Sequence, residues 1–137
     1  MPLVRISVMN GRSAAQKRAL GDAVHRALVE TMDVPALDRF QVITEHEPGD
    51  LVYDPEYLGI HRTDDVAFIQ VTLSRGRSLA QKRALYRGIA ANLHGSTGVR
   101  PEDVVVSLVE VGREDWSFGN GIASYAQEAG KTAPVPL

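Results

Sequence analysis

The sequence predicts an α+β fold: two tandem βαβ units forming a four-stranded mixed sheet with two helices on one face, followed by a C-terminal β-hairpin. Three observations carry that prediction. The run Arg12 to Leu20 recurs as Arg77 to Leu85 at an offset of 65, with eight of nine positions identical, and internal self-similarity of this kind decides architecture before any single residue does. The same offset lays Leu3 to Val8 over Phe68 to Leu73, and Phe40 to Glu45 over Val105 to Glu110. Each of these flanking runs is short and rich in β-branched residues, as strands are.

Taken in order, Leu3 to Val8 opens the first unit as a strand. Ser13 with Gln16 then has capping-box spacing, the hydroxyl accepting from an orphan amide while the glutamine reaches back. Leu20, Val24, Ala27 and Leu28 recur at helical intervals. Phe40 to Glu45 closes the unit. The second unit repeats the plan, with Ser78 and Gln81 as its box, Leu85, Ile89 and Leu93 as its helical stripe, and Gly98 and Pro101 ending the helix. A strand–helix–strand connection of this length favours a parallel pair with a right-handed crossover. The sheet face away from the helices needs cover, because Val104, Val106, Leu108 and Phe40 read as too apolar to stay wet; oligomerisation is the simplest cover. One domain, 1–137, is expected. Its parts are a first repeat at about 2–45, a connecting loop at 46–65, a second repeat at about 66–111, and a hairpin and tail at 112–137. The loop carries Pro48, Gly49, Pro55 and Gly59, and the hairpin is expected to turn at Gly119-Asn120-Gly121. The Pro-rich end, Thr132 to Leu137, reads as an extended or disordered arm.

Composition narrows the function. The 137 residues include 15 Lys+Arg and 17 Asp+Glu, a formal charge of −2, and no cysteine. That balance argues against a nucleic-acid surface, which needs clustered positive charge. Without cysteine there are no disulfides, thiolate catalysis or Cys-bound zinc. The start lacks a signal-peptide pattern, and the uncharged stretch Val66 to Ser74 is far short of a membrane helix. A cytoplasmic protein without membrane contact is expected. His25, His46, His61 and His94 form no recognised metal motif, and there is no Gly-x-Ser-x-Gly elbow.

The repeat also separates scaffold from chemistry, since residues serving only the scaffold should recur. Pro2 aligns with Ala67 and Asn10 with Arg75. Initiator methionine is normally removed before a small residue, and the chain would then begin with a secondary amine, able to donate or to attack. An ordinary α-amino group titrates near ~8; neighbouring guanidinium groups favour its neutral form and a carboxylate its cation. The plain alternative is a proline that merely starts an edge strand.

An initial proline, paired βαβ units and a basic turn together resemble the tautomerase superfamily, and within it the malonate semialdehyde decarboxylase group. The resembling pieces are Met1-Pro2-Leu3, Asp38-Arg39-Phe40-Gln41, Arg75-Gly76-Arg77 and Asp115-Trp116-Ser117-Phe118-Gly119. The resemblance implies Pro2 as catalytic amine and Asp38 as its acidic partner. It implies Arg75 and Arg77 as holders of a substrate carboxylate, Trp116 and Phe118 as pocket wall, no cofactor and no metal, and a homotrimer. Two structural alternatives stay open: Arg77 matches Arg12 and flanks a helix start, and Asp38 matches Asp103, which suits a turn or cap. The implied activity is decarboxylation of malonate semialdehyde to acetaldehyde and CO2, with a hydratase side activity. The alternatives are tautomerisation of 2-enol acids with Pro2 as general base, and a non-catalytic binding relative.

Overall fold

The computed structural model describes residues 2–126. Strand β1 (Leu3–Met9) leads into helix α1 (Ala14–Met32) and β2 (Phe40–His46); β3 (Ala67–Ser74), α2 (Leu79–Thr97) and β4 (Val104–Val111) repeat the sequence. The strands lie in the order β2-β1-β3-β4. β1 pairs parallel with β2 and antiparallel with β3, and β3 pairs parallel with β4, so the sheet is mixed. The repeat reaches into register: Leu3 faces Phe40, and Phe68 faces Val105, the same pairing moved by the sequence offset.

Both helices begin as the sequence predicts. Ser13 accepts from Gln16 N and Ser78 from Gln81 N, each at 3.1 Å, and the glutamine side chains return the bond. The ends differ. α2 stops at Gly98, with φ of 77°, whereas α1 stops at Asp33, which takes the same left-handed turn at φ of 56°. One core holds the layers together. Val4, Ile6 and Val8 from β1 and Ile69, Val71 and Leu73 from β3 point at Leu20, Val24, Leu28, Leu85, Ile89 and Leu93, all essentially sealed from solvent. Alternation at period two sends the intervening side chains, among them Arg5, Ser7, Phe68 and Gln70, to the opposite face.

That phase corrects one expectation. Val104, Val106 and Leu108 pack against the helix-side core rather than on the uncovered face. The uncovered face carries Phe40, Val42 and Val109, exposed by 45%, 41% and 38%. A shallow hollow of about 270 Å³ lies there, bounded by Arg5, Ser7, Phe68, Gln70, Val105 and Ser107. β4 is apolar on both sides, so pairing rather than pattern sets its phase.

The C-terminal segment also departs from a regular hairpin. The chain reverses around Gly119–Gly121, all at positive φ, and Ser124 N donates to Trp116 O at 3.1 Å across the reversal. The two arms form no strand pair among the described residues; side-chain bonds and ring stacking hold them instead. The expected arm at Thr132 to Leu137 lies outside the described residues.

Candidate active site

Antiparallel pairing of β1 with β3 brings the start of the chain beside the turn that leaves β3. Leu3 faces Thr72 on one side and Phe40 on the other, so buried Pro2, one residue earlier, lies between the ends of the segments carrying Leu73–Ser74 and Asp38–Arg39. A cleft of about 310 Å³ opens at this end of the sheet. Asp38, Arg75 and Arg77 line it, along with Asp33, Ser74 and Arg113. Three of the residues expected in a site are thus brought together. Pro2, Trp116 and Phe118 border that end of the sheet without lining the cleft itself.

Each side chain is held by a local cause. Asp38 closes a turn in which its amide donates to Pro35 O at 3.0 Å, and its Oδ2 is shut off from solvent. Arg75 follows the last residue of β3, and its amide prolongs the ladder by donating to Val111 O at 2.8 Å. Gly76 takes φ of 122°, a conformation side chains disfavour, and so turns the chain toward α2. Arg77 donates from Nη1 to Ser74 O at 3.0 Å and from Nη2 to Met32 O at 3.2 Å. Its guanidinium is therefore oriented by main-chain carbonyls, leaving its charge at the cleft. Arg12 makes the equivalent bond, Nη1 to Met9 O at 3.4 Å, so this role is common to both copies.

Trp116 joins the cleft to an aromatic stack. It is 8% exposed and donates from Nε1 to Ser74 Oγ at 3.1 Å. Phe118 stacks on Trp116 with centroids 5.1 Å apart and 11° between planes, and it also meets Phe40 at 5.2 Å and Tyr125 at 5.4 Å. The Arg113 guanidinium sits 5.1 Å from the centre of the Tyr125 ring, an attraction between cation and ring face. Burial raises the Tyr125 hydroxyl above its ordinary 10.0, against the opposing charge of Arg113.

The fold supplies its own control. A second cavity, of about 600 Å³, is the image of the first under the repeat: Met9, Asn10, Gly11, Arg12, Gln16 and Pro48 stand where Ser74, Arg75, Gly76, Arg77, Gln81 and Arg113 stand. Glycine, arginine and glutamine recur. Asn10 and Pro48 give way to Arg75 and Arg113, while Asp64 and Asp65 line the first-copy cavity. The aspartates diverge as well. Asp103, wholly buried, accepts from Thr63 N and Thr63 Oγ1 at 2.7 Å each; Asp38 shares the turn but lines the cleft. Sequence reasoning missed Arg113. The signal was available, because Arg113 aligns with Pro48 at the same offset that singled out Arg75.

The doubled βαβ sheet thus carries, in the turn of its second copy, cationic side chains that the first copy lacks, at the end of the sheet where buried Pro2 lies. The chain belongs to the tautomerase family. Two family models, both described as tautomerase enzyme, match residues 38–119 and 2–60. Probable tautomerase YusQ of Bacillus subtilis (strain 168) is 45% identical over 123 residues, covering 90% of this chain and 97% of that protein. Among solved structures, a malonate semialdehyde decarboxylase, described for its decarboxylase and hydratase activities, superposes with a TM-score of 0.84 at 40% identity. It covers 89% of this chain and 94% of its own. A fused 4-OT symmetric trimer superposes with a TM-score of 0.73 at 26% identity, covering 88% and 94%. No helix among the described residues is long and apolar enough to cross a membrane.

Proposed function

We propose that the protein is a cofactor-independent decarboxylase of a small 3-oxo acid, acting through the amine of Pro2 freed by loss of Met1. The observation that carries this reading is the cleft that gathers Asp38, Arg75 and Arg77 at the end of the sheet where β1 begins. Likeness to a malonate semialdehyde decarboxylase at 40% identity supports the choice of substrate, and one family model begins on Pro2. The repeat supports the pairing of amine and carboxylate. Asp103 accepts from Thr63 in the loop before β3; its counterpart Asp38 lies near the entry to β1, where the amine of Pro2 is the proposed donor. A carboxylate partner favours the cationic amine.

In malonate semialdehyde, the cationic amine donates a hydrogen bond to the aldehyde oxygen. The bond between the methylene carbon and the carboxylate carbon breaks, its electron pair forms the enolate, and CO2 leaves. A proton then reaches the methylene carbon, giving acetaldehyde. A positioned charge-assisted donor aimed at a developing oxyanion is worth roughly 3–4 kcal/mol. The arginines hold the carboxylate at an angle that lets this bond overlap the carbonyl. Too firm a grip stabilises the ground state and slows the reaction, so the arginines serve to orient the carboxylate rather than to hold it tightly. The test is acetaldehyde formation by untagged wild type and Pro2→Ala: a loss of at least a hundredfold supports the proposal, and an unchanged rate ends it.

A second reading has its own support, the 45% identity with a probable tautomerase. There the neutral amine shuttles a proton on a 2-enol acid. The pH–rate profile separates them: activity falling as pH rises through the amine's pKa means an acid, and falling as pH drops means a base. The uncovered sheet face, with exposed Phe40, Val42 and Val109, and the trimeric fused 4-OT relative support a homotrimer, which light scattering on the eluted protein reads directly.

A further inference from the structure

We infer that Ser74 is a positioning residue of this cleft: its buried hydroxyl fixes the indole of Trp116 and, through it, the aromatic stack that bounds the space for a small acid. This role rests on the proposed turnover of a small acid here and gives the stack a specific anchor. Two independent observations carry it.

The first is the comparison between copies. The segments after β2 and β4 fold alike: Asp50 N donates to Glu47 O at 3.0 Å and Asp115 N to Gly112 O at 3.1 Å, the same bond moved by 65 residues. The next residue is buried in each copy, Leu51 at 6% and Trp116 at 8% exposure. At the end of the strand that leads to the turn, the first copy has Met9 and the second Ser74. Two apolar side chains therefore satisfy the scaffold. The second copy exchanges both for an indole and a hydroxyl, joined by a buried bond of 3.1 Å. Phe118 has diverged with them. Its counterpart Tyr53 donates its hydroxyl to Asp64 at 2.6 Å, whereas Phe118 stacks on Trp116 and meets Phe40 and Tyr125.

The second is the place of Ser74 in its strand. Alternation puts it on the face of Phe68, Gln70 and Thr72, all at least partly exposed, yet Ser74 is 3% exposed. It is also the residue of β3 that lines the cleft. Its carbonyl accepts from Arg77 Nη1 at 3.0 Å, so one residue touches both the cationic turn and the aromatic stack. The stack reaches Phe40, two residues from Asp38. A hydrogen bond is directional where apolar packing is not, so the hydroxyl holds the indole plane and the near-parallel Phe118 ring follows. A buried indole N–H without an acceptor is costly, so loss of the hydroxyl turns the ring away.

The test uses the sole tryptophan of the chain. In untagged 15N-labelled protein, the one indole N–H resonance is expected to shift in Ser74→Ala and to exchange with solvent faster than in wild type. Ser74→Ala keeps the carbonyl that orients Arg77. KM for malonate semialdehyde therefore stays within about threefold, while kcat falls about tenfold, the upper end for one neutral hydrogen bond. Ser74→Thr keeps a hydroxyl and restores most of kcat. Trp116→Phe removes the donor, and adding Ser74→Ala to it changes kcat by less than about twofold, the non-additivity of partners in one contact. Melting curves give the folded content of each variant; should Ser74→Ala fail to fold, Ser74→Cys, near the native volume but a weak acceptor, takes its place in both backgrounds. Wild-type kcat in Ser74→Ala, an unmoved indole resonance, or an equal tenfold loss in the Trp116→Phe background overturns the inference. Inactive Pro2→Ala beside fully active Ser74→Ala leaves the proposed reaction standing and the inference refuted. If wild type leaves malonate semialdehyde untouched, the same pattern is expected on a 2-enol acid, and turnover of neither acid overturns the inference.

Discussion

Replacing Asp103 by alanine tests the division of labour between the two copies. Its carboxylate is fully buried and accepts two bonds of 2.7 Å from Thr63, one from the amide and one from the hydroxyl. The third approach, Arg100 Nε at 3.4 Å, is long and comes from a side chain 39% exposed, so it adds little. A hydrogen bond to a charged group is worth ~1.5–3 kcal/mol, and losing one partner leaves the other buried and unsatisfied. Two such bonds put the cost of Asp103→Ala at roughly 3–5 kcal/mol, out of a total stability of ~5–15 kcal/mol for a domain of this kind. Asp103→Asn keeps an acceptor and should cost about 1–2 kcal/mol. Asp38→Asn, at the matching position in the first copy, should cost under ~1 kcal/mol and fall instead on turnover. Urea unfolding at one fixed protein concentration reads all three. A loss below ~1 kcal/mol for Asp103→Ala, or equal losses at Asp38 and Asp103, would refute the argument that only one of the pair is structural.

Two further outcomes follow from local geometry. Gly95 lies within α2 with nothing near the position of an added Cβ, so Gly95→Ala should stabilise by about 0.5–1 kcal/mol in thermal unfolding, whereas Gly76→Ala, at φ of 122°, should destabilise by about 1–2 kcal/mol. Glu45 and Glu110, matched across the repeat, have carboxyls held below their ordinary 4.5, chiefly by hydrogen bonds from Lys17 and Lys82. Depressed carboxyls stabilise the fold fully above that ordinary value, and the contribution is lost as pH falls through the lowered one. Unfolding midpoints measured from pH 7 to pH 2 should therefore fall less steeply in the Glu45→Gln, Glu110→Gln double variant.

Much of the scaffold is legible in the sequence because one offset governs it. Capping boxes, strand positions and even pairing register shift together by the same number of residues. What the offset does not carry is phase. In Val104 to Val109 both faces are apolar, and only the parallel pairing of β4 with β3 shows that Val104, Val106 and Leu108 look toward the helices. The segment after β4 is held by the Trp116–Ser74 bond and by ring stacking, which turn residues alone do not announce. At the site, Asp38, Arg75 and Arg77 are readable as candidates from residue type and position. The engagement of Arg77 with two carbonyls is not, because it depends on Met32 approaching from another element. Arg113 escaped for a different reason: it lies beyond the strong part of the repeat, where a single exchange of Pro48 for arginine attracts no notice until both cavities are seen.

The most direct measurement compares one preparation before and after its amino terminus is unmasked. The chain is made with a cleavable extension ahead of Pro2, assayed, trimmed so that Pro2 comes first, and assayed again, with intact mass confirming each state. The account predicts that turnover of malonate semialdehyde is absent with the extension and appears on trimming, while circular dichroism stays the same. Equal turnover in the two states, at equal folded content, would contradict it.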